Sequence, residues 1–357
     1  YNGKAKATLN YDNVAFANDE LVSGEELTVT ATGTFEDVNA GKDKTVNITD
    51  LALADVDGKD YAKNYVLASS GQQETTTAQI YKRKVTVSGI VAKDKVYDGN
   101  TSAQLDYSSI VFGNQGLVSG EELTVTATGT FENKNVGENK TVNITDLKLV
   151  DKEGNDYAKN YKLAESSTNT DKIQTTTTAT ITALDITVGG ITASNKVYDG
   201  TTTATIDYSA ATFTTKVDGD DLSVASATGT FDDKNVGTGK IVTISDLTLG
   251  GTDAGNYNVT SIDTTTADIT VKTLGISWGK TSFEYDGKYH APSATATGVA
   301  DGDTVVLKVA GSAKNVGSYT ATATIDEDNS SESAATNYAL PVINVASSSL
   351  INLPPWV

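Results

Sequence analysis

The stretch LVSGEELTVTATGTFE at residues 21–36 returns without a change at 117–132, 96 residues later. KTVNITDL (44–51 and 140–147) and DYAKNY (60–65 and 156–161) recur with the same displacement, so the duplication runs through a whole unit without a gap. A third copy is more diverged and keeps VYDG (197–200), ATGTF (227–231), KNVG (234–237), ISDL (244–247) and Asn256-Tyr257 in the same order. A shorter fourth shows Tyr285-Asp286-Gly287, DGD (301–303), KNVG (314–317) and Asn337-Tyr338. Self-similarity at a long fixed period marks an array of units, each with its own small core, and argues against one large α/β enzyme.

Within a unit, ELTVTATGTF and KTVNITDLAL alternate apolar and polar residues, the period of two that belongs to a half-buried strand. Helical periodicity does not persist beyond a turn anywhere. Thr is abundant while Pro occurs only four times, a composition that favours β-branched packing on strands. The expected fold class is all-β: four small β-sandwich modules, Ig-like in plan with a β-grasp-like variant as the alternative. The segments TTTAQI, TTTATI and TTTADI each precede a fresh alternating run, which places modules at 1–81, 82–181, 182–271 and 272–346, with 347–357 as an unmatched tail. No Gly/Pro/Ser-rich spacer separates them, so close docking into an extended rod is expected. The first module has no counterpart of the strand KVTVSGI (84–90) or DITVGGI (185–191). Either the segment starts short of its natural boundary, or the vacancy is filled in trans by a strand such as the tail. Pro354 and Pro355 argue against the tail as donor, and a monomer with a weak first module is expected.

Charge and composition remove several functions. The 27 basic residues are outnumbered by 46 acidic ones, for a net charge of -19, and such a surface repels nucleic-acid backbones and anionic headgroups. No apolar run is long enough for a membrane span. Cys is absent and His occurs once, which excludes disulfides, thiolate metal sites and a Cys nucleophile. No catalytic constellation remains, and no cofactor is expected.

The acidic and aromatic motifs each have a plain reading. The Asp-Gly of Tyr97-Asp98-Gly99, Tyr198-Asp199-Gly200 and Tyr285-Asp286-Gly287 suits a tight turn. The adjacent pairs Glu25-Glu26, Glu121-Glu122 and Asp220-Asp221 read as solvated turns, because neighbouring strand residues face opposite sides and cannot flank one bond. Asp55, Asp57 and Asp60, with Asp151, Glu153 and Asp156 one unit later, space oxygens like the first half of a calcium loop but lack the terminal bidentate Glu. A solvated β-turn is the default there and calcium the alternative. The tyrosines of the NY element (Tyr65, Tyr161, Tyr257 and Tyr338) have the setting of a tyrosine corner, buried with the hydroxyl on nearby backbone. His290 reads as surface, and Trp278 as part of the fourth core or its junction, with stacking on a sugar ring as the alternative. Asn47, Asn100, Asn143, Asn258 and Asn329 match the glycosylation sequon, a weak signal in so Asn- and Thr-rich a chain. An isopeptide bond between Lys95 or Lys196 and the NY asparagine is a further candidate.

VYDG, the GTF-x-x-x-N-x-G element (129–137 and 229–237), NY and the closing TTTATI together resemble the YDG-type repeat of large bacterial surface exoproteins. The fourth unit resembles the related MBG type. The resemblance implies a secreted or cell-surface adhesin, filamentous-haemagglutinin-like, in which such modules form a stalk that projects a distal binding region. Its partners would be the rest of the adhesin chain and, through an adhesive module, host or matrix glycans or proteins. The alternatives are a carbohydrate- or protein-binding module, or a self-assembling fibre subunit.

Overall fold

The computed structural model describes residues 1–16, 21–165 and 173–351. It divides into two compact units, Tyr1–Thr182 and Ala183–Val357, and each holds two of the modules. Strands dominate, and helix among the described residues is limited to single turns such as Ala62–Asn64, Ala158–Asn160 and Ala334–Asn337.

The second module has the full plan. Its spine is the antiparallel pair Leu123–Phe131 and Gly137–Asp151, flanked by Ser102–Ala103 on one side and Thr176–Thr182 on the other. Thr176–Thr182 in turn pairs in parallel with Lys95–Val96, the strand that leads into YDG. A second sheet places Arg83–Ser88 between Val111–Asn114 and Tyr161–Leu163. Alternation decides which side chains go inward: Val85, Val87, Val125 and Val142 are at most 1% exposed, while the threonines between them face out or stay half-exposed. The third module repeats this arrangement around Ile186, Val188, Val224 and Val242.

The recurrent ITDL/ISDL element is a bulge. Between Thr126 and Thr128 the register shifts, and Asp146 opposite takes φ +53°, with Asp50 (+50°) and Asp246 (+51°) doing the same in their modules. Asp tolerates this left-handed conformation better than a β-branched residue, so the strand bends at the same point in each copy.

In the fourth module, Gly317–Ile325 pairs with Leu307–Ala310 and with Val345–Ile351, and Val345–Ile351 also pairs in parallel with Ser282–Glu284. This corrects the reading of 347–357 as a tail outside the repeat. Ser347–Ile351 belongs to the closing strand, with Leu350 only 2% exposed. Its serines hide the alternation of Ala346, Ser348 and Leu350 in the sequence. Pro354 and Pro355 lie outside the described residues.

The first module consists of Lys6–Ala7, Leu27–Phe35, Gly41–Asp55 and Thr75–Ile80 in one sheet. Among its described residues no strand corresponds to Arg83–Ser88. Its aliphatic face instead borders a cavity of about 770 Å³ lined by Val29, Ile48, Leu53 and Leu67 among others.

Two outcomes follow from this architecture. Each Val or Ile that fills the core from the inserted strand contributes roughly 1.5–3 kcal/mol, so amides of Leu27–Phe35 should exchange with solvent faster than those of the sequence-identical Leu123–Phe131 in hydrogen-exchange mass spectrometry. Asp146→Val, which forces a β-branched residue into the left-handed region, should cost about 1–2 kcal/mol in urea denaturation, whereas Asp146→Gly should cost little.

Candidate functional site: a joint repeated between modules

The motifs that recur in turns rather than in strands meet where one module adjoins the next within a unit. In the second unit the YDG tyrosine, Tyr198, is 1% exposed and stands edge-on to the NY tyrosine of the following module, Tyr338, with ring centroids 5.2 Å apart at 82°. Both hydroxyls donate to the same oxygen of Asp303, Tyr198 at 2.6 Å and Tyr338 at 2.8 Å. The other Asp303 oxygen takes the Lys234 ammonium at 2.8 Å. The Tyr338 hydroxyl also accepts from the Ala300 N–H at 3.0 Å. Beside this cluster, Asn337 is 1% exposed and reads the KNVG turn of the preceding module: its Oδ1 accepts from the Val236 N–H at 2.9 Å and its Nδ2 donates to Asn235 Oδ1 at 2.9 Å. Apolar packing joins the same place, since Tyr198, Phe231, Leu274, Ala300 and Tyr338 belong to one core cluster.

The first unit builds the same joint from its own copies. Tyr1 and Tyr161 stand edge-on at 5.6 Å and 76°, and both hydroxyls donate to Glu121. Tyr161 also accepts from the Val118 N–H at 2.8 Å. Asn160, fully buried, accepts from the Ala40 N–H at 2.8 Å and donates to Asn39 at 3.1 Å. Glu121 reaches with one more methylene where Asp303 suffices, and the pattern survives the change.

This gives each letter of YDG a physical role. Tyr fills the joint. The Asp side chain closes the turn: Asp199 Oδ1 accepts from the Thr201 N–H at 2.9 Å and from Lys196 at 2.8 Å, and Asp98 does the same with Asn100 and Lys95. Gly200 takes φ +80°, and a Cβ there would stand 3.1 Å from the Ala300 side chain of the next module. At Gly3, with φ +73°, a Cβ would reach Val118 at 2.8 Å. In the fourth module the motif is open: Tyr285 is 48% exposed and a Cβ on Gly287 would meet nothing within 4 Å. Tyr97 is 2% exposed, while Asp98 beside it is exposed.

The electrostatics follow from burial. Burial alone would raise the Asp303 pKa, but Lys234 and the two tyrosine hydroxyls together outweigh it and hold the carboxyl below its usual value. Burial, reinforced by the neighbouring carboxylate, pushes Tyr338 and Tyr161 up to about 12 and raises Tyr198 as well. The joint thus holds one ionised carboxylate between neutral phenols.

Tyr161, Tyr257 and Tyr338 are buried as expected and Tyr65 is half-buried, and each hydroxyl accepts from a backbone N–H, but not from the adjoining corner. Each hydroxyl reaches a turn about 40 residues upstream: Tyr65 bonds Glu25 and the Val22 N–H, and Tyr257 bonds Asp220 and the Val217 N–H. The first carboxylate of each acidic pair is therefore a phenol acceptor rather than a free surface charge, while Glu122 meets Lys152 at 3.2 Å in solvent. The acidic loops cap backbone. Asp55 accepts from the Tyr61 and Ala62 N–H groups, and Asp151 from Tyr157 and Ala158. Asp60 pairs with Lys63 and Asp156 with Lys159, and Asp57 and Glu153 are exposed turn positions. Among the described residues no three acidic or His side chains stand close enough to share a metal ion. Lys95 and Lys196 point to their own YDG turns, not to an NY asparagine. His290 pairs with Asp286 at 2.7 Å and stacks on Phe283, so it braces the fourth YDG turn. Trp278 is half-buried in Gly275–Trp278.

Asn39, Asn235, Lys234 and Asp303 carry the joint and were not singled out from the sequence. The available signal was that these turn residues recur in register, although turn chemistry alone would have tolerated others.

The family model of the YDG domain matches residues 1–76, 81–170 and 181–267. The comparison with curated proteins gives no match.

Tyr198→Phe should destabilise the second unit by about 1.5–3 kcal/mol, the net value of a hydrogen bond to a charged acceptor, whereas Tyr285→Phe should change it by less than about 0.5 kcal/mol. The pH dependence has two limbs. Asp303, depressed in the folded state, stabilises above the ordinary carboxylate range near pH 4 and loses that contribution as pH falls through its folded value. Tyr338, raised to about 12, stabilises fully below the ordinary phenol value of about 10 and loses that contribution as pH climbs through about 12. Thermal melts from acid to alkaline pH should be flat between these limbs, and Tyr338→Phe should remove part of the alkaline one.

Proposed function

We propose that this chain, a member of the YDG domain family, is a structural spacer in a bacterial cell-surface adhesin, where its modules hold a distal binding region away from the cell. The observation that carries this reading is where the recurring polar residues are used. The YDG tyrosine, the KNVG turn, the acidic turn and NY are consumed in module-to-module joints, and in the second and third modules the inward-facing residues are consumed in close-packed cores. A binding protein spends such residues on an accessible pocket. Here they stiffen the connection between neighbours, which is what a load-transmitting segment requires. The near-identity of the first two modules supports the same role, because copying a unit changes reach without the need to preserve a site. The fourth module, MBG-like in its motifs, continues the joint chemistry with Asp303 and Tyr338. In this reading the protein is secreted, has no enzymatic step and needs no calcium.

Three measurements decide it. In single-molecule pulling of the full chain, Tyr198→Phe should lower the force at which the second unit yields, and melting curves with calcium or with a chelator should coincide. On a glycan array the full chain should give no saturable binding. Specific glycan binding that survives in the isolated chain would replace the spacer reading with that of an adhesive module.

A further inference from the structure

The Asn-x-Ser/Thr triplets look alike in the sequence, and the fold separates them. Asn258 Nδ2 donates to Asp185 at 2.8 Å, and the hydroxyl of Thr260 donates to the Ile186 carbonyl at 3.2 Å. Asn329 Nδ2 donates to Asp326 at 2.8 Å, while Ser331 Oγ accepts from the Thr304 N–H at 2.6 Å. Asn100 Oδ1 accepts from the Ser102 N–H at 2.9 Å and from the Lys95 ammonium at 3.1 Å, inside the YDG turn. Asn139 begins one more such triplet with Lys140 and Thr141, but it takes φ +50° at a break in register, which interrupts the alternation that would put Thr141 on its face. Each of these asparagines is committed to a loop, a turn or a bulge.

Asn47 and Asn143 are not. Asn143 stands on the middle strand of its sheet, opposite Thr130 on one side and Thr176 on the other, with Thr141 and Thr145 two residues away along its own strand. Asn47 has the same neighbours one repeat earlier, Thr34, Thr75, Thr45 and Thr49. Both asparagines are exposed, and neither side chain hydrogen-bonds another described residue. Val46 and Val142 turn into the core, so each Asn shares the outer face with the Thr two residues on. Those hydroxyls, of Thr49 and Thr145, donate to the exposed neighbours Asp50 and Asp146 at 3.1 and 3.2 Å. The flanking threonines are shorter than Asn, so the carboxamide projects beyond them. The third module keeps the same strand pairing with Thr243 opposite Thr230, so the sheet does not need an Asn here, a residue that strands disfavour.

From this we infer that Asn47 and Asn143 are acceptor sites for N-linked glycosylation of the folded protein. In the transfer, Asn Nδ2 forms a bond to the anomeric carbon of a sugar while the bond from that carbon to the phosphate oxygen of an activated glycosyl donor breaks. The phosphate leaves with the electron pair, and one Nδ2 proton passes to a base of the transferase. An amide nitrogen is a weak nucleophile because its lone pair is shared with the carbonyl, so the carboxamide has to turn freely into the enzyme with the hydroxyl two residues on beside it. The Nδ2 groups of Asn258 and Asn329 would first have to give up a carboxylate, and Asn100 an ammonium and a backbone N–H. A sugar at Asn47 or Asn143 extends from the outer face of the sheet and leaves the core on the inner face undisturbed. The inference stands independently of the spacer reading.

The test maps glycopeptides by electron-transfer mass spectrometry on the full chain purified from the cells that produce it. Sugar is expected on Asn47 and Asn143 and not on Asn100, Asn139, Asn258 or Asn329. A single sugar residue identifies a nucleotide sugar as the donor and one fixed oligosaccharide a lipid-linked donor, and either supports the sites. Thr145→Val, which keeps the β-branched shape, should clear Asn143 and leave Asn47 loaded, and Thr49→Val should do the reverse, both with unchanged urea midpoints. In vitro, the folded chain given a purified sequon-directed transferase and a nucleotide-activated hexose should be modified at the same two asparagines, whereas a proteolytic digest, in which no fold holds the others, should be modified at additional ones. Bare Asn47 and Asn143 in the chain from its own cells, sugar on the other four in the folded chain, or sugar that persists after loss of the threonine hydroxyls would overturn the proposal.

Discussion

A carboxylate withdrawn from solvent and shared by two tyrosine hydroxyls is the constraint on which the pairing of modules depends. Such a group is costly to bury unless its lone pairs are satisfied. At Asp303 they are satisfied from both sides of the joint, by Tyr198 and Lys234 of one module and Tyr338 of the next. Neither module alone can supply the set, so separating the two would leave the NY tyrosine and its carboxylate half-satisfied. The amide of Asn337, bonded in both directions to the KNVG turn, fixes the rotation between the partners in the way a single hydrogen bond could not.

The joint is heterologous: one half is YDG with KNVG, the other is the acidic turn with NY. The repeats carry both halves at different places in their sequence, so duplication of a module also duplicates a matched pair of ends. This explains why the acidic turn can vary between Glu121 and Asp303 and why the first copy can have Asn2 in place of Asp. Asn2 Oδ1 accepts from the Lys4 N–H at 3.0 Å, the same turn closure that Asp199 performs. What has to persist is the geometry of two phenols on one carboxylate.

Within a module the long two-stranded spine carries the core, and the left-handed Asp50, Asp146 and Asp246 give it the same bend in the first three copies. The inserted first strand then closes the second sheet over that core. Its packing shows in the core: Ile144 and Ile244 are buried, while Ile48 at the same place in the first module is only half-buried.

The sequence by itself determined the repetition, the all-β class and the alternating faces of the strands, because period-two patterning and repetition are local properties that a chain displays without folding. The tertiary structure alone decided what the turns are for. Glu121 looks like solvated turn charge and Tyr161 like a corner tyrosine until residues about 40 positions apart, and then Tyr1 from another module, are brought to one point. The closing strand Val345–Ile351 was likewise hidden, since its serines carry no apolar alternation and only pairing with Gly317–Ile325 and Ser282–Glu284 makes it a strand. Polar residues in turns satisfy local rules in many ways, and the burial that selects one of those ways exists only after the modules have met.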